Sequence, residues 1–131
     1  MANILIVFTG GTIGSKRSGG GVVDVDERAG CELLHRYARS DRQPVHFDTV
    51  QPYQTLSENM NPGHWLSLAA CLRERLAGPA RHDGVIVTHG SDTLPYTAAM
   101  LSYAFADAPV PIVLVAANYP LDDPRSNGLV N

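Results

Sequence analysis

The sequence predicts an α/β domain built on a mainly parallel sheet, and three observations lead there. Ile4–Phe8, Val85–Val87 and Val110–Val115 are apolar at consecutive rather than alternate positions, the pattern of strands covered on both faces. Helical periodicity fills the intervals, so the order along the chain is strand, loop, helix, strand, helix, strand, helix, strand. The 131 residues are 44% hydrophobic and 18% charged, which fits one core of ordinary size, with residues 1–131 as a single domain and no room for a second.

The elements follow in chain order. Ile4–Phe8 is the first strand and runs into Thr9-Gly10-Gly11-Thr12. Gly10–Gly21 reads as a glycine-rich loop, and the overlapping segment Ser15–Asp24 is expected to be the most mobile part of the domain, having no large apolar anchor before Val22. A helix of modest periodicity extends from about Arg28 to Arg39. Val45–Val50 alternates more than the other strands and is placed nearer an edge. Trp65, Leu68, Ala69, Leu72 and Leu76 recur at helical spacing, with Asn61 as N-cap, Pro62 at the first helical position and Gly78-Pro79 as the stop. A third helix, from about Thr93 to Phe105, carries Leu94, Ala98, Leu101 and Phe105 on one side. Trp65 and Phe105 are assigned to the core. The tail Asn118–Asn131 is a second glycine-containing loop with no closing element.

Composition removes several functions. A formal charge of −3 and a pI near 5.9 provide no broad positive field for nucleic acid or an anionic membrane. The longest early apolar run is far short of the roughly 20 residues that cross a bilayer, and no basic region or cleavage site brackets it. The expectation is a soluble, cytoplasmic protein whose partner is a small molecule or another protein. Cys31 and Cys71 lie far apart in helical segments and read as buried thiols. Gly10–Lys16 lacks the spacing of a phosphate-binding loop, no G-x-G-x-x-G follows the first strand, and Ser91 has no glycine two positions later, as a nucleophile elbow requires. The histidines at 35, 46, 64, 82 and 89 have no ligand spacing for zinc. Neither a cofactor nor a metal is expected, and His89 alone stands out by position.

Chemistry collects where the strands end. Thr9-Gly10-Gly11-Thr12 follows the first strand, Thr88-His89-Gly90-Ser91-Asp92-Thr93 the third and Ala116-Ala117-Asn118 the fourth. In open α/β sheets ligands bind outside the carboxyl ends of the strands, where strand order reverses. The plainer alternative is that Gly10 and Gly11 only make a tight turn and that Ser91 or Asp92 only caps the next helix.

These residues resemble the bacterial-type asparaginase and glutaminase family. Ile6-Val7-Phe8-Thr9-Gly10-Gly11-Thr12-Ile13-Gly14 is similar to its N-terminal T-G-G-T-I signature, and Val87-Thr88-His89-Gly90-Ser91-Asp92-Thr93 to its second, usually T-H-G-T-D-T. Leu56-Ser57-Glu58-Asn59-Met60 followed by Trp65 resembles the substrate-carboxylate loop and its helix, and Ser126-Asn127-Gly128 with Asn131 the segment beyond the fourth strand. All four occur in the family's order, over nearly the whole chain but only the first part of the family's larger domain.

The resemblance implies a three-layer, flavodoxin-like architecture and an amidohydrolase that converts the side-chain amide of L-asparagine, or of L-glutamine, to the acid and ammonia. Thr12 is then the nucleophile, giving an acyl-enzyme that water resolves. Ser91 matches the second catalytic threonine and Asp92 its acidic neighbour, which helps hold the ligand's α-amino group. Ser57 and Glu58 match the residues on the α-carboxylate and α-amino group, with Gly11 and Gly90 lining the substrate. Backbone N–H groups in the Gly11-Thr12 turn and beside Ser91 are suitable oxyanion donors. A homo-oligomer is implied as well.

Two departures are visible: Ser15–Arg28 holds no counterpart of the family's lid tyrosine, and no residue up to Asn131 matches its downstream lysine. The 131 residues alone are therefore expected to turn over asparagine very slowly. The competing expectations are a non-catalytic module that keeps the amino-acid pocket for sensing or docking, and a structural fragment covered by a further domain.

Overall fold

A computed structural model describes residues 1–11, 15–17, 23–25, 29–40 and 42–128. The main sheet consists of β1 (Ala2–Phe8), β4 (Val45–Val50), β5 (Gly84–Thr88) and β6 (Ile112–Val115), all parallel, in the order β4-β1-β5-β6. β1 pairs from Ala2↔Val45 to Val7↔Val50 on one side and from Ile4↔Gly84 to Phe8↔Thr88 on the other. β5 continues the sheet from Val85↔Ile112 to Thr88↔Val115. The more alternating strand, β4, is at an edge, as its sequence predicts.

From β1 the chain steps to one side and then returns to add β5 and β6 on the other. Right-handed crossovers then place the first helix on one face and the next two on the opposite face. The side chains agree, because residues alternate between the faces of a strand. Leu68 and Leu72 of α2 (Pro62–Ala77) and Leu101 of α3 (Leu94–Ala104) bury Leu5, Val7, Val85 and Val87 in one core. Full burial of one such side chain is worth roughly 1.5–3 kcal/mol. Leu33, Leu34 and Tyr37 of α1 (Ala29–Ala38) face Ile6, Ile86, Thr88 and Val115 across a cavity of about 220 Å³. The result is the expected three-layer α/β domain, with four strands in the first part of a flavodoxin-like order.

α2 starts where its sequence signals a start. Asn61 is extended, and its Oδ1 accepts from the N–H groups of Gly63 (2.9 Å) and His64 (3.4 Å). The Asn61 N–H donates in return to His64 Nδ1 at 3.1 Å, so histidine takes the place of the usual Glu or Gln in the reciprocal box. Asn61→Ala is expected to cost about 1 kcal/mol, read as a lower urea midpoint at unchanged slope. Gly78 ends the helix with φ −69°, outside the left-handed region, so its role is a stop before Pro79 rather than a left-handed cap.

The structure departs from the sequence expectations in four places. The loop after β1 contains a two-stranded antiparallel ribbon, β2 (Ser15–Arg17) with β3 (Val23–Val25), because the β-branched valines suit a strand. Residues 18–22 of the expected mobile segment lie outside the described residues. β6 begins at Ile112, since Pro111 has no N–H to give the ladder, although its carbonyl accepts from Val85 at 2.9 Å. Val113 is 51% exposed, so β6 is not covered on both faces. Cys71 is only half-buried, and the Cys31 side chain lies outside the described residues.

Candidate functional site

The switch in strand order falls between β1 and β5, and three chain segments converge outside their carboxyl ends. Thr9 closes β1; its hydroxyl donates to the Thr88 carbonyl at 2.6 Å and ties the two strand ends together. The backbone then turns through Gly10 (φ +103°) and Gly11 (φ +75°), conformations that L side chains rarely adopt. The Thr55 N–H donates to the Thr9 carbonyl at 3.1 Å, and the Gly11 N–H to the Thr55 carbonyl at 3.2 Å. A Cβ on Gly10 would overlap Thr55 O, and one on Gly11 would overlap Gly90 N and sit 2.6 Å from His89 C. Glycine is required here because three main chains pack against one another.

The second layer of the site is a strap between a short 3-10 turn, Ser57–Asn59, and the start of α3. Ser57 is 3% exposed. Its hydroxyl donates to Asp92 Oδ2 at 3.0 Å and accepts from the Asp92 N–H at 3.2 Å. The Thr93 hydroxyl donates to the Ser57 carbonyl at 3.0 Å. Gly90 makes this approach possible, since a Cβ there would overlap Ser57 Oγ. The helix-cap alternative does not describe this turn: Thr93 is the N-cap of α3 without a side-chain cap bond, and the Asp92 carboxylate is engaged by Ser57.

Of the residues singled out by sequence, Ser57 and Asp92 are in contact, Gly11 and Gly90 touch through their backbones, and Ser91 and Glu58 are exposed beside them. Thr12 lies outside the described residues, as does Asn131. Two amides expected as oxyanion donors are already engaged, that of Gly11 by Thr55 and that of Asp92 by Ser57. Tyr53, in the segment leading to Thr55, is pushed up to about 12 by burial. Its phenol stays protonated throughout the neutral range and does not serve as a base there.

Sequence reasoning missed the support beneath His89, which is completely buried. Its Nδ1 lies 2.7 Å from the Gly90 carbonyl and its Nε2 2.8 Å from Thr97 Oγ1, while Trp65 Nε1 donates to the same hydroxyl at 2.8 Å. One signal was present: Thr97 is a hydroxyl inside the apolar stripe Leu94, Ala98, Leu101 of α3. Burial holds the imidazole below its ordinary value near 6.5, partly opposed by the Gly90 carbonyl. The unfolded chain therefore takes up a proton that the folded chain refuses, and stability is lost as pH falls below about 6.5. Chemical unfolding between pH 7.5 and 5 should show this decline, and His89→Gln should flatten it. The carboxylates of Glu32 and Asp48, both lowered, add their losses only at more acidic pH.

Among the described residues no group of three or more His, Cys, Asp or Glu is placed to hold a metal, and no helix is long and apolar enough to cross a membrane.

A doubly wound sheet with a Gly-Gly turn after one central strand and a Thr-His-Gly turn after its neighbour defines an open α/β domain, the class in which ligand sites lie at the carboxyl edge of the sheet. More particularly, the chain belongs to the asparaginase family: residues 3–131 match the family described as "Asparaginase, N-terminal". It is 31% identical to L-asparaginase I of Vibrio cholerae, with a TM-score of 0.83 over 99% of this chain and 38% of that one. The thermostable L-asparaginase of Thermococcus kodakarensis is 26% identical, with a TM-score of 0.80 over 97% of this chain and 37% of that one. The chain is also similar to one of the subunits of glutamyl-tRNA(Gln) amidotransferase, at 35% identity for the Archaeoglobus fulgidus protein and 36% for that of Methanosarcina barkeri. Both alignments take in 100% of this chain, which spans 30% of the length of each relative.

Proposed function

We propose that residues 1–131 form the nucleophile-bearing, amino-acid-holding domain of an amidohydrolase that acts on the side-chain amide of L-asparagine, with L-glutamine as the alternative substrate. The observation that carries this reading is the Ser57–Asp92 pair, held beside the contact of Gly11 with Gly90 at the strand switch. A carboxylate there offers an ion pair to an α-ammonium group, and the exposed Glu58 offers a second acceptor. The Thr12 hydroxyl attacks the amide carbon, the C–N bond breaks and ammonia leaves, and water then cleaves the ester. Ser91 supplies the second hydroxyl. Release of an amide nitrogen is common to what the names of the similar asparaginases and amidotransferases describe, which supports the reaction class. The protein acts as a homo-oligomer in the cytoplasm in this reading.

The second reading is a non-catalytic amino-acid-binding or interaction module that retains the same pocket. The lack of any tyrosine between Ser15 and Arg28 favours it. Ammonia release from L-asparagine and L-glutamine, measured beside calorimetric binding of L-aspartate, separates the two. Turnover supports the hydrolase, and binding without turnover supports the module. Asp92→Ala should weaken L-aspartate binding at least about tenfold, while costing the fold only about 1–2 kcal/mol because the carboxylate is exposed. Undiminished affinity in that variant would remove Asp92 from the site.

A further inference from the structure

Beneath the site, three residues from three elements form a single file of hydrogen bonds. Trp65 of α2 can only donate through Nε1, and it donates to Thr97 Oγ1 of α3 at 2.8 Å. That leaves the Thr97 proton for the other neighbour of the hydroxyl, His89 Nε2, also at 2.8 Å. Nε2 must then carry a lone pair, so the ring proton resides on Nδ1, which faces the Gly90 carbonyl at 2.7 Å. This assignment satisfies each of these groups, and with His89 and Thr97 both 0% exposed no water can substitute for a missing partner. The file runs one way, from Trp65 through Thr97 and His89 to the carbonyl oxygen of Gly90.

The consequence lies on the other side of the peptide bond. All described peptide bonds are trans, so the Gly90 carbonyl and the Ser91 N–H point in opposite directions in one plane. Drawing the carbonyl inward to the buried His89 ring turns the Ser91 N–H the opposite way, out of the buried file. We propose that Trp65, Thr97 and His89 are positioning residues that lock this peptide plane and hold the Ser91 amide as the donor to a substrate carbonyl oxygen. The proposal rests on the amidohydrolase reading and names an expected donor, among the described residues, other than the Gly11 and Asp92 amides, which are engaged. Because the donor acts on charge developing in the transition state, misaligning it lowers kcat more than it raises KM.

The experiment compares the full-length protein with Thr97→Val, Thr97→Ser and Trp65→Phe, using nitrogen NMR of the His89 ring, the Ser91 amide resonance and steady-state ammonia release. Wild type should show the neutral ring protonated on Nδ1. Thr97→Val keeps the shape but removes both bonds of the hydroxyl; it should mix the tautomers, shift the Ser91 amide and lower kcat about tenfold with KM nearly unchanged. Thr97→Ser should restore all three. A wild-type ring protonated on Nε2 overturns the proposal, as does unchanged kcat in Thr97→Val, or a loss that serine does not restore. If the wild-type protein releases no ammonia, the amidohydrolase reading falls and the Ser91 amide decides alone. A resonance displaced by Thr97→Val then upholds the locked peptide plane, and an unmoved one overturns it.

Discussion

Gly11→Ala should be among the most damaging single substitutions in the domain, costing about 3–5 kcal/mol of stability. Two terms add. The backbone at φ +75° disfavours any Cβ, by roughly 1–2 kcal/mol on its own. The Cβ would also overlap Gly90 N and approach His89 C to 2.6 Å, and both are main-chain atoms that cannot turn aside as a rotamer can. Relief requires moving the end of β1 or of β5, where Thr9 and Thr88 are already joined. Against a typical stability of about 5–15 kcal/mol, such a loss leaves a large unfolded fraction. Urea unfolding followed by the fluorescence of Trp65, the single tryptophan, gives the measurement. Gly78→Ala is the control: its φ is −69° and its nearest would-be contacts are at 3.4 Å, so its stability should hardly change. A cost below about 1 kcal/mol for Gly11→Ala would mean that the two turns are not packed as described.

The largest expected effect on chemistry comes from Thr12→Ala. If Thr12 is the nucleophile, its removal leaves only binding and the oxyanion donor, and ammonia release should fall at least about 10³-fold. Binding of L-aspartate should survive, because Asp92, Ser57 and Glu58 are untouched. Thr12→Ser keeps a hydroxyl and should retain part of the rate. Unchanged turnover in Thr12→Ala would remove the covalent mechanism while leaving the pocket in place.

Asn61-Pro62 and the spacing from Trp65 to Leu76 were enough to place α2 within a residue, because capping and amphipathic periodicity are local properties of the chain. The continuous apolar runs of β1 and β5 marked the buried centre of the sheet, and the alternation in Val45–Val50 marked an edge, since burial on one or two faces is written in the period of the side chains. The two signature turns could also be recognised, because glycine at a main-chain approach and hydroxyls at a strand end are matters of residue identity. The run at Val110–Val115 shows the limit: apolar character says what a strand can bury, whereas exposure of Val113 depends on what lies beside it.

Contacts between distant segments needed the tertiary structure. Ser57 meets Asp92, 35 residues on, because the crossovers return β5 to the side of β1 and the Gly11 and Gly90 backbones let the turns close. Nothing local tells Ser57 that its hydroxyl will be given to Asp92, or Gly11 that its amide will be given to Thr55. Nor could spacing reveal that Trp65 on α2 and Thr97 on α3 meet at His89, since their bonds depend on how two helices cross one face of the sheet. The sequence by itself determined the three helices and the four strands of the main sheet, their order, the family and the residue types at the strand ends. The tertiary structure alone decided which donors and acceptors are engaged, because hydrogen bonding is set by a few tenths of an ångström between groups that the chain keeps far apart.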